Sequence, residues 1–147
     1  MKVKNLKLLA TSDEDLKVIS AHLQDAIVLP NEIANLKKNR IFLIQLNRFM
    51  WEDVEKGVFR KNKRTRTVLK FDNVVSVSSK NVNTLNKKKF LDFLTIESKS
   101  LPDKSYEIKL IFSGNAIIKI NAEVIDVTID DQGSPWESKT TPKHNFL

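Results

Sequence analysis

One stretch near the C-terminal end of the chain, residues 106–131, constrains the fold most strongly. Apolar residues occupy alternate positions in its first half, which is the period of a strand with one buried face. Ser113-Gly114-Asn115 then supplies turn residues that tolerate a positive φ. The alternation resumes after this turn but slips by one position near Val124, which is typical of a β-bulge. We therefore expect a long hairpin whose second strand bends, as strands do in a curved sheet.

The rest of the chain predicts one helix and several short strands. Thr11 with Glu14, or Ser12 with Asp15, has the spacing of a capping box. The apolar residues that follow have helical spacing, so we expect a helix that ends by about Asp25. Residues 53–66 show no periodicity, and Gly133 and Pro135 are expected to end the last strand. Strands are predicted over residues 6–9, 26–29, 32–36, 41–46, 67–80 and 90–98.

These elements together predict an α+β fold. One N-terminal helix is expected to pack on a strongly curved, mostly antiparallel sheet of about six to eight strands. A partly closed barrel, resembling a pleckstrin-homology (PH) barrel, is also compatible with the bend in the last hairpin. The length of 147 residues is that of one domain. We expect a globular domain over residues 1–136 and a polar C-terminal tail over residues 137–147.

The composition excludes several classes of site. The chain contains no cysteine, which rules out disulfides, thiolate nucleophiles and cysteine-based zinc sites and fits a reducing compartment. No signal-peptide pattern opens the sequence, and no apolar run approaches the length of about eighteen residues that a membrane span needs. We therefore expect a cytoplasmic protein with no membrane span.

The sequence predicts no catalytic residue, no metal site and no cofactor. The motifs HExxH, GxGxxG, GxxxxGKS/T and GxSxG are all absent. His22 has the side chain of a general base near neutral pH, but no nucleophile or partner acid accompanies it in a recognisable pattern. We interpret His22 as a histidine on the helix surface, or a half-buried one, that bonds a backbone carbonyl, so an enzyme is the least favoured class.

A candidate partner-binding segment lies at the end of a predicted central strand. An arginine beside aromatic side chains makes a good anchor for a protein interface, and a further tryptophan follows Pro135. The alternative is that these side chains cover the end of the core, with the arginine paired to an acid of the same segment. The candidate partner-binding residues are Arg48, Phe49, Trp51, Glu52 and Trp136.

The densest group of basic residues immediately precedes residue 67. Such a cluster can contact phosphates nonspecifically and with strong salt dependence. The net charge of +7 agrees with this, but a solvated loop explains the same pattern, and no aromatic residues interleave the cluster as stacking platforms. The candidate anion-binding residues are Arg60, Lys61, Lys63, Arg64 and Arg66, and Lys37, Lys38, Arg40 and residues 87–89 would extend them if all lie at one end of the sheet.

Two local motifs carry a resemblance to a known family. They are Ser20-Ala21-His22-Leu23-Gln24-Asp25-Ala26 and Asn47-Arg48-Phe49, the latter followed after one residue by Trp51-Glu52. With the segments LKFDNVVSV and IDDQGSPW, they resemble an uncharacterised bacterial family, domain-of-unknown-function family 2948, found mainly in alphaproteobacteria. The resemblance covers nearly the whole chain. It implies a compact, soluble, single-domain protein without a known cofactor, and it carries no activity.

Three hypotheses about function follow. We favour a noncatalytic protein-binding or adaptor module, whose partner is another protein or a second copy of the chain. Its binding surface would be the segment from Arg48 to Glu52 or an exposed edge strand. The alternative is a nucleic-acid-associated protein that uses the basic segment, and a small enzyme with His22 in its site is a second alternative.

Overall fold

The computed structural model describes residues 6–50, 63–83 and 89–137, without the side chains of residues 63 and 134–137. In this part of the chain it contains one α-helix, one short 3-10 turn and nine strands. In chain order these are β1 (Lys7–Ala10), α1 (Asp13–Leu23), β2 (Ile27–Leu36), the 3-10 turn (Lys37–Asn39), β3 (Ile41–Phe49), β4 (Lys63–Phe71), β5 (Val74–Lys80), β6 (Leu91–Ser100), β7 (Tyr106–Phe112), β8 (Ile117–Ala122) and β9 (Val127–Glu137).

The described strands form one antiparallel sheet in the order β1-β9-β4-β3-β2-β6-β7-β8-β5. The sheet consists of two halves, which are joined where Ile27 and Val28 of β2 pair with Asp92 and Leu91 of β6. Side chains from both halves contribute to a single core, so the halves face each other across it. The predicted α+β fold with one N-terminal helix is confirmed, and the sheet is open rather than closed into a barrel.

Helix α1 begins as the sequence predicts. The side chain of Ser12 accepts a hydrogen bond from the backbone N–H of Asp15 at 3.2 Å, which satisfies one of the free donors of the first turn. Acidic residues fill that turn and suit the positive end of the helix dipole. The buried face carries Leu16, Ile19 and Leu23, at the spacing that aligns side chains on one side of a helix.

Helix α1 also covers a strand edge. Beyond its pairing with β2, strand β6 pairs only with β7 among the described strands. The hydroxyl of Ser20 accepts a hydrogen bond from the backbone N–H of Ile96 at 3.1 Å, and Ser98 donates to Asp13 further along the same edge. The helix therefore covers this side of β6 and supplies one hydrogen-bond partner that a neighbouring strand would otherwise provide.

Aromatic pairs lie in the core of each half. Phe42 and Phe71 lie on the paired strands β3 and β4, with ring centroids 6.1 Å apart. Phe93 and Phe112 lie on the paired strands β6 and β7, with centroids 5.8 Å apart in an edge-to-face arrangement. All four rings are buried, and pairs of this geometry contribute beyond the area that they bury.

The last hairpin was predicted to have a second strand that bends at a bulge, and this prediction is wrong. The slip in the apolar alternation after Val124 marks a change of sheet half, because β8 pairs with β7 and β5 whereas β9 pairs with β4 and β1. Residues 67–80, expected as one strand, likewise divide into β4 and β5 around Asn73, which has a left-handed φ of 58°. The two crossovers contact each other, since Asp72 N–H donates to the carbonyl of Asp126 at 2.9 Å.

Three predicted strand boundaries are also wrong. Strand β2 is continuous from Ile27 to Leu36 and passes Pro30 through an irregularity in its register with β3, instead of forming two short strands. Strand β4 already begins at Lys63, inside the segment without periodicity. Strand β9 does not end at Gly133 but continues to Glu137, and its pairing with β4 is irregular at this point.

Candidate functional site

At one end of β3, β4 and β9 the core-facing positions change from apolar to polar. Arg48 follows Leu46 on β3, Thr67 and Thr65 follow Leu69 on β4, and Asp131 follows Ile129 on β9. The strands are neighbours in the sheet, so these four polar side chains form one buried layer at the end of the core. Strand period and pairing register bring them together, although they are widely separated in sequence.

The centre of this layer is a buried ion pair between Arg48 and Asp131. Arg48 donates from Nε to Oδ1 of Asp131 at 2.9 Å and from Nη2 to Oδ2 at 2.7 Å, which is the two-point geometry that favours arginine over lysine. The hydroxyl of Thr67 donates to Oδ1 at 2.6 Å, and the backbone N–H of Leu6 donates to Oδ2 at 2.9 Å. The side chains of Arg48 and Asp131 are 0% and 3% exposed, so both charges are withdrawn from water.

These contacts set the protonation state of Asp131. Burial on its own would raise the pKa of this carboxyl group, but the hydrogen bonds from Arg48 and Thr67 and the charge of Arg48 outweigh burial and hold the pKa below its ordinary value of 3.8. Asp131 is therefore ionised in the folded protein at neutral pH. Its interactions tie β9 to β3, β4 and the residue that precedes β1.

We expect Asp131 to stabilise the protein at neutral pH and to lose this contribution in acid. A carboxyl group whose folded-state pKa is depressed stabilises fully above its unfolded-state pKa, and the contribution disappears as the pH falls through the folded-state value. Urea unfolding of the wild type and of Asp131→Asn should differ by a constant amount above about pH 5, and the difference should shrink below about pH 4. A difference that stays constant or widens below pH 4 would contradict the assignment, and Asp130→Asn is the control.

Arg64 is a second buried cation beside this layer. Its Nη1 atom donates to the carbonyl of Asn47 at 3.0 Å and reaches the carbonyl of Asp25 at 3.5 Å. Burial lowers the pKa of Arg64, while the charges of Asp25 and Asp92 act in the opposite direction. Arg64 is only 4% exposed and belongs to the interior of the domain.

The structure describes only some of the candidate partner-binding side chains, and those that it describes are buried. Arg48 and Phe49 are 0% and 1% exposed, which for Phe49 agrees with the alternative that it covers the end of the core. Among the described residues, Asp131 is an acid that pairs with Arg48. Trp51 and Glu52 lie outside the described residues. The backbone of Trp136 pairs with Arg64 within β9 and β4, and its side chain lies outside the description. A partner surface on this segment therefore stays a prediction.

The candidate anion-binding residues do not form one described surface. Arg64 is buried, Arg66 is exposed, and Arg60, Lys61 and the side chain of Lys63 lie outside the described residues. The turn containing Lys37, Lys38 and Arg40 lies at the opposite end of β3 from the start of β4, about 30 Å away for nine residues of strand. The hypothesis that this turn and the start of β4 share one basic end is wrong, and nucleic-acid binding by the segment before residue 67 stays a prediction.

His22 is half-buried on α1, and the described residues show no backbone carbonyl bonded to its Nδ1 atom. Its Nδ1 atom is shielded from solvent and has no hydrogen-bond partner in the described part of the chain. The described residues contain no group of three or more histidine and acidic side chains that could hold a metal ion. The described contacts place no nucleophile beside His22. Its role in an enzyme therefore stays a hypothesis.

A groove between β2 and β5 is a surface feature that the sequence analysis did not predict. The outer half of β2 pairs only with β3, and β5 pairs only with β8, among the described strands. Two cavities of about 470 and 330 Å³ lie between these one-sided strands. We name this surface the β2–β5 groove and define it by Ile33, Asn35, Lys37, Arg40, Val75, Val77 and Ser78.

Arg40 holds the groove closed at one end. Its carbonyl accepts a hydrogen bond from the backbone N–H of Val74 at 2.9 Å, and its Nε atom reaches the carbonyl of Val74 at 3.4 Å. Its Nη2 atom forms an ion pair with Glu123 at 2.6 Å. Arg40 has a left-handed φ of 58°, which turns its backbone toward β5. The two strands are therefore in contact at Arg40, and the cavities separate them further along.

The sequence contains neither a motif for this groove nor a signal for the order of the strands that border it. The lining of the groove mixes apolar, polar and basic side chains without a motif, and its existence depends on which strand edges remain one-sided. The alternation of apolar residues predicts strands but does not predict their order in the sheet. The sequence could therefore predict that the sheet has edge strands, but it could not predict that β2 and β5 are the strands concerned, because this depends on the topology.

Comparison with known proteins gives a family but no activity. A family model described as "Protein of unknown function (DUF2948)" matches residues 6–144, which confirms the resemblance predicted from the sequence motifs. No curated protein matches the chain, and no solved structure matches it. In the described part of the chain, no helix is long and apolar enough to cross a membrane.

Proposed function

Because this chain belongs to the DUF2948 family of proteins of unknown function, we propose its function from its own geometry: it is a noncatalytic module that binds an extended segment of another protein in the β2–β5 groove. The observation that carries this proposal is the pair of one-sided strands that border the groove. An extended segment placed there would gain backbone hydrogen bonds from a strand edge, which is the main source of affinity in strand addition.

The groove also offers apolar contacts. Val75 lines it and is 61% exposed, and the partly buried side chains of Ile33 and Val77 line it as well. Scattered single apolar side chains are normal on protein surfaces, but a local group beside a cavity is typical of a binding surface. Burial of these side chains would add a hydrophobic contribution to the backbone hydrogen bonds.

The buried polar layer supports this noncatalytic proposal. Arg48 and Asp131 direct their charged groups at each other, and Thr67 donates to the same carboxylate. A buried pair satisfied in this way fixes the position of strands, whereas a general acid or base must reach a substrate. The partner-binding residues Trp51, Glu52 and Trp136 remain candidates for a second contact on the same partner.

A peptide-display selection tests the proposal. Random twelve-residue peptides selected on the wild type should include binders whose affinity falls by about tenfold or more in Ser78→Trp, since this exposed side chain lines the groove and its enlargement fills the space. Hydrogen exchange should show slower exchange of β5 backbone amides when a selected peptide is bound.

Val18→Trp is the matched control for this selection. Val18 is 50% exposed on α1, so the substitution adds the same aromatic side chain to a surface away from the groove. Binding should be unchanged in this variant. The proposal fails if no peptide is selected above background, or if selected peptides bind equally to Ser78→Trp and leave β5 exchange unchanged.

A further inference from the structure

We propose that the segment bound in the β2–β5 groove is acidic at the end that contacts Arg40 and apolar at its other end. This inference rests on the proposed function and adds the chemistry of the partner to it. The two ends of the groove differ in charge. Three charged residues line the cavity beside Arg40 together with valines, whereas the described residues that line the second cavity are apolar or uncharged.

The positive charges at the closed end of the groove favour a bound segment that is acidic at this end. Lys37 and Arg40 both line the cavity at the closed end, and the acid that lines it, Glu123, is already paired with Arg40 at 2.6 Å. Lys38 lies next to Lys37 in the exposed turn, and its charge adds to theirs. A carboxylate of the bound segment would meet an excess of positive charge here, and complementary charge at an interface raises both specificity and association rate.

The same charges disfavour a second copy of this chain as the occupant. The protein carries a net charge of +7, and the strand that would be offered, β5, ends in Lys80. Two copies paired antiparallel through β5 would place Lys80 of each copy near the basic turn of the other, which opposes association. A partner with negative charge meets no such opposition.

The strand geometry fixes the length of the segment. Val75 has no partner on β8, because the register shifts between Val74 and Ser76 and leaves this residue as a bulge. A bulge interrupts the regular edge, so an added strand would pair with β5 from Ser76 to Lys80, about 17 Å in length. Near this end Ile33, Val77 and Val82 present apolar surface, which suits β-branched side chains of the segment.

Three synthetic peptides test the inference. Each has eight residues of alternating valine and threonine, with the three residues at one end replaced by glutamate, glutamine or lysine, and each is made in both sequence orders. Titration against the wild type at low salt should give the glutamate peptide, in one of the two orders, an affinity about fivefold or more above that of its glutamine counterpart. The lysine peptide should bind most weakly.

Two charge reversals separate the groove from the general positive charge of the protein. Lys37→Glu should remove most of the preference for glutamate, since Lys37 lines the cavity at the closed end. Lys17→Glu makes the same change in an exposed residue of α1 and should leave the preference intact within about twofold. Equal loss in both variants would mean that only net charge matters and would overturn the inference.

The remaining outcomes distinguish this inference from the proposed function. Equal binding of the glutamate and glutamine peptides, with loss of both in Ser78→Trp, would overturn the acidic preference and leave strand addition standing. Failure of all three peptides, while display-selected peptides bind, would do the same. Concentration-dependent dimerisation in sedimentation that Ser78→Trp abolishes would overturn the inference in favour of a second copy, and failure of both peptide sets would overturn both proposals.

Discussion

Replacing Asp131 with alanine is expected to lower the free energy of unfolding by about 3–5 kcal/mol. The substitution leaves the guanidinium of Arg48 fully buried without the carboxylate that it contacts at 2.7 and 2.9 Å. The hydroxyl of Thr67 and the backbone N–H of Leu6 also lose their acceptor. Removing the carboxylate beside a buried cation costs far more than the net stabilisation of the intact pair, so the loss should be large. Urea unfolding at pH 7 measures it.

Asp130→Ala is the matched control, because Asp130 is the neighbouring residue of the same strand. Its carboxylate is 42% exposed and lies 4.0 Å from Lys7, as a surface ion pair whose loss should cost less than about 1 kcal/mol. The double variant Arg48→Met with Asp131→Leu removes both buried charges and should recover part of the lost stability. Equal effects of Asp130→Ala and Asp131→Ala would show that the buried pair has no special role.

Phe93→Ala is expected to lower the free energy of unfolding by about 3–5 kcal/mol through cavity formation. Phe93 is 0% exposed, and its ring packs edge-to-face on that of Phe112. Its backbone also joins the two halves of the sheet, since its N–H donates to Ala26 at 2.8 Å and its carbonyl accepts from Asp25 at 2.9 Å. The loss of packing therefore falls where the halves meet, and thermal unfolding followed by circular dichroism measures it.

Phe90→Ala provides the comparison for this core substitution. Phe90 lies just before β6, three positions from Phe93, but it is 55% exposed. Removal of its ring should change stability by less than about 1 kcal/mol, as is usual for surface substitutions. If both variants lose the same stability, the two sheet halves are not held together by the side chain of Phe93. Phe93→Leu, which keeps most of the apolar volume, should fall between them.

Local signals in the sequence predicted individual elements well. The cap at Ser12 and the apolar spacing of α1 define that helix because both depend on neighbours within one or two turns. The alternation over Tyr106–Phe112 defines β7 in the same way, since each side chain reports only its own face of the strand. Such signals need no knowledge of the rest of the fold.

Features that depend on distant partners were not predictable in the same way. The slip near Val124 fits a bulge as well as a change of sheet half, because both shift the apolar phase by one residue. The contact of Arg48 with Asp131 was not expected, because Asp131 lies 83 residues away and meets Arg48 only through the order of β3, β4 and β9. Arg64 was predicted as an exposed cation, because a run of basic residues conceals which of them faces inward.

The interior position of the last strand has a consequence for how the chain acquires its structure during synthesis. Strand β9 lies between β1 and β4, and Lys7 of β1 pairs with Asp130. The ribosome therefore releases β1 and β4 before β9, the strand that joins them. The edges of β1 and β4 that pair with β9 stay unpaired until β9 is translated. Closing so long a loop is entropically slow, and unoccupied edges invite association with other nascent chains. Completion of this half of the sheet therefore waits until β9 has been translated, and chaperones that shield strand edges have the most to protect before that point.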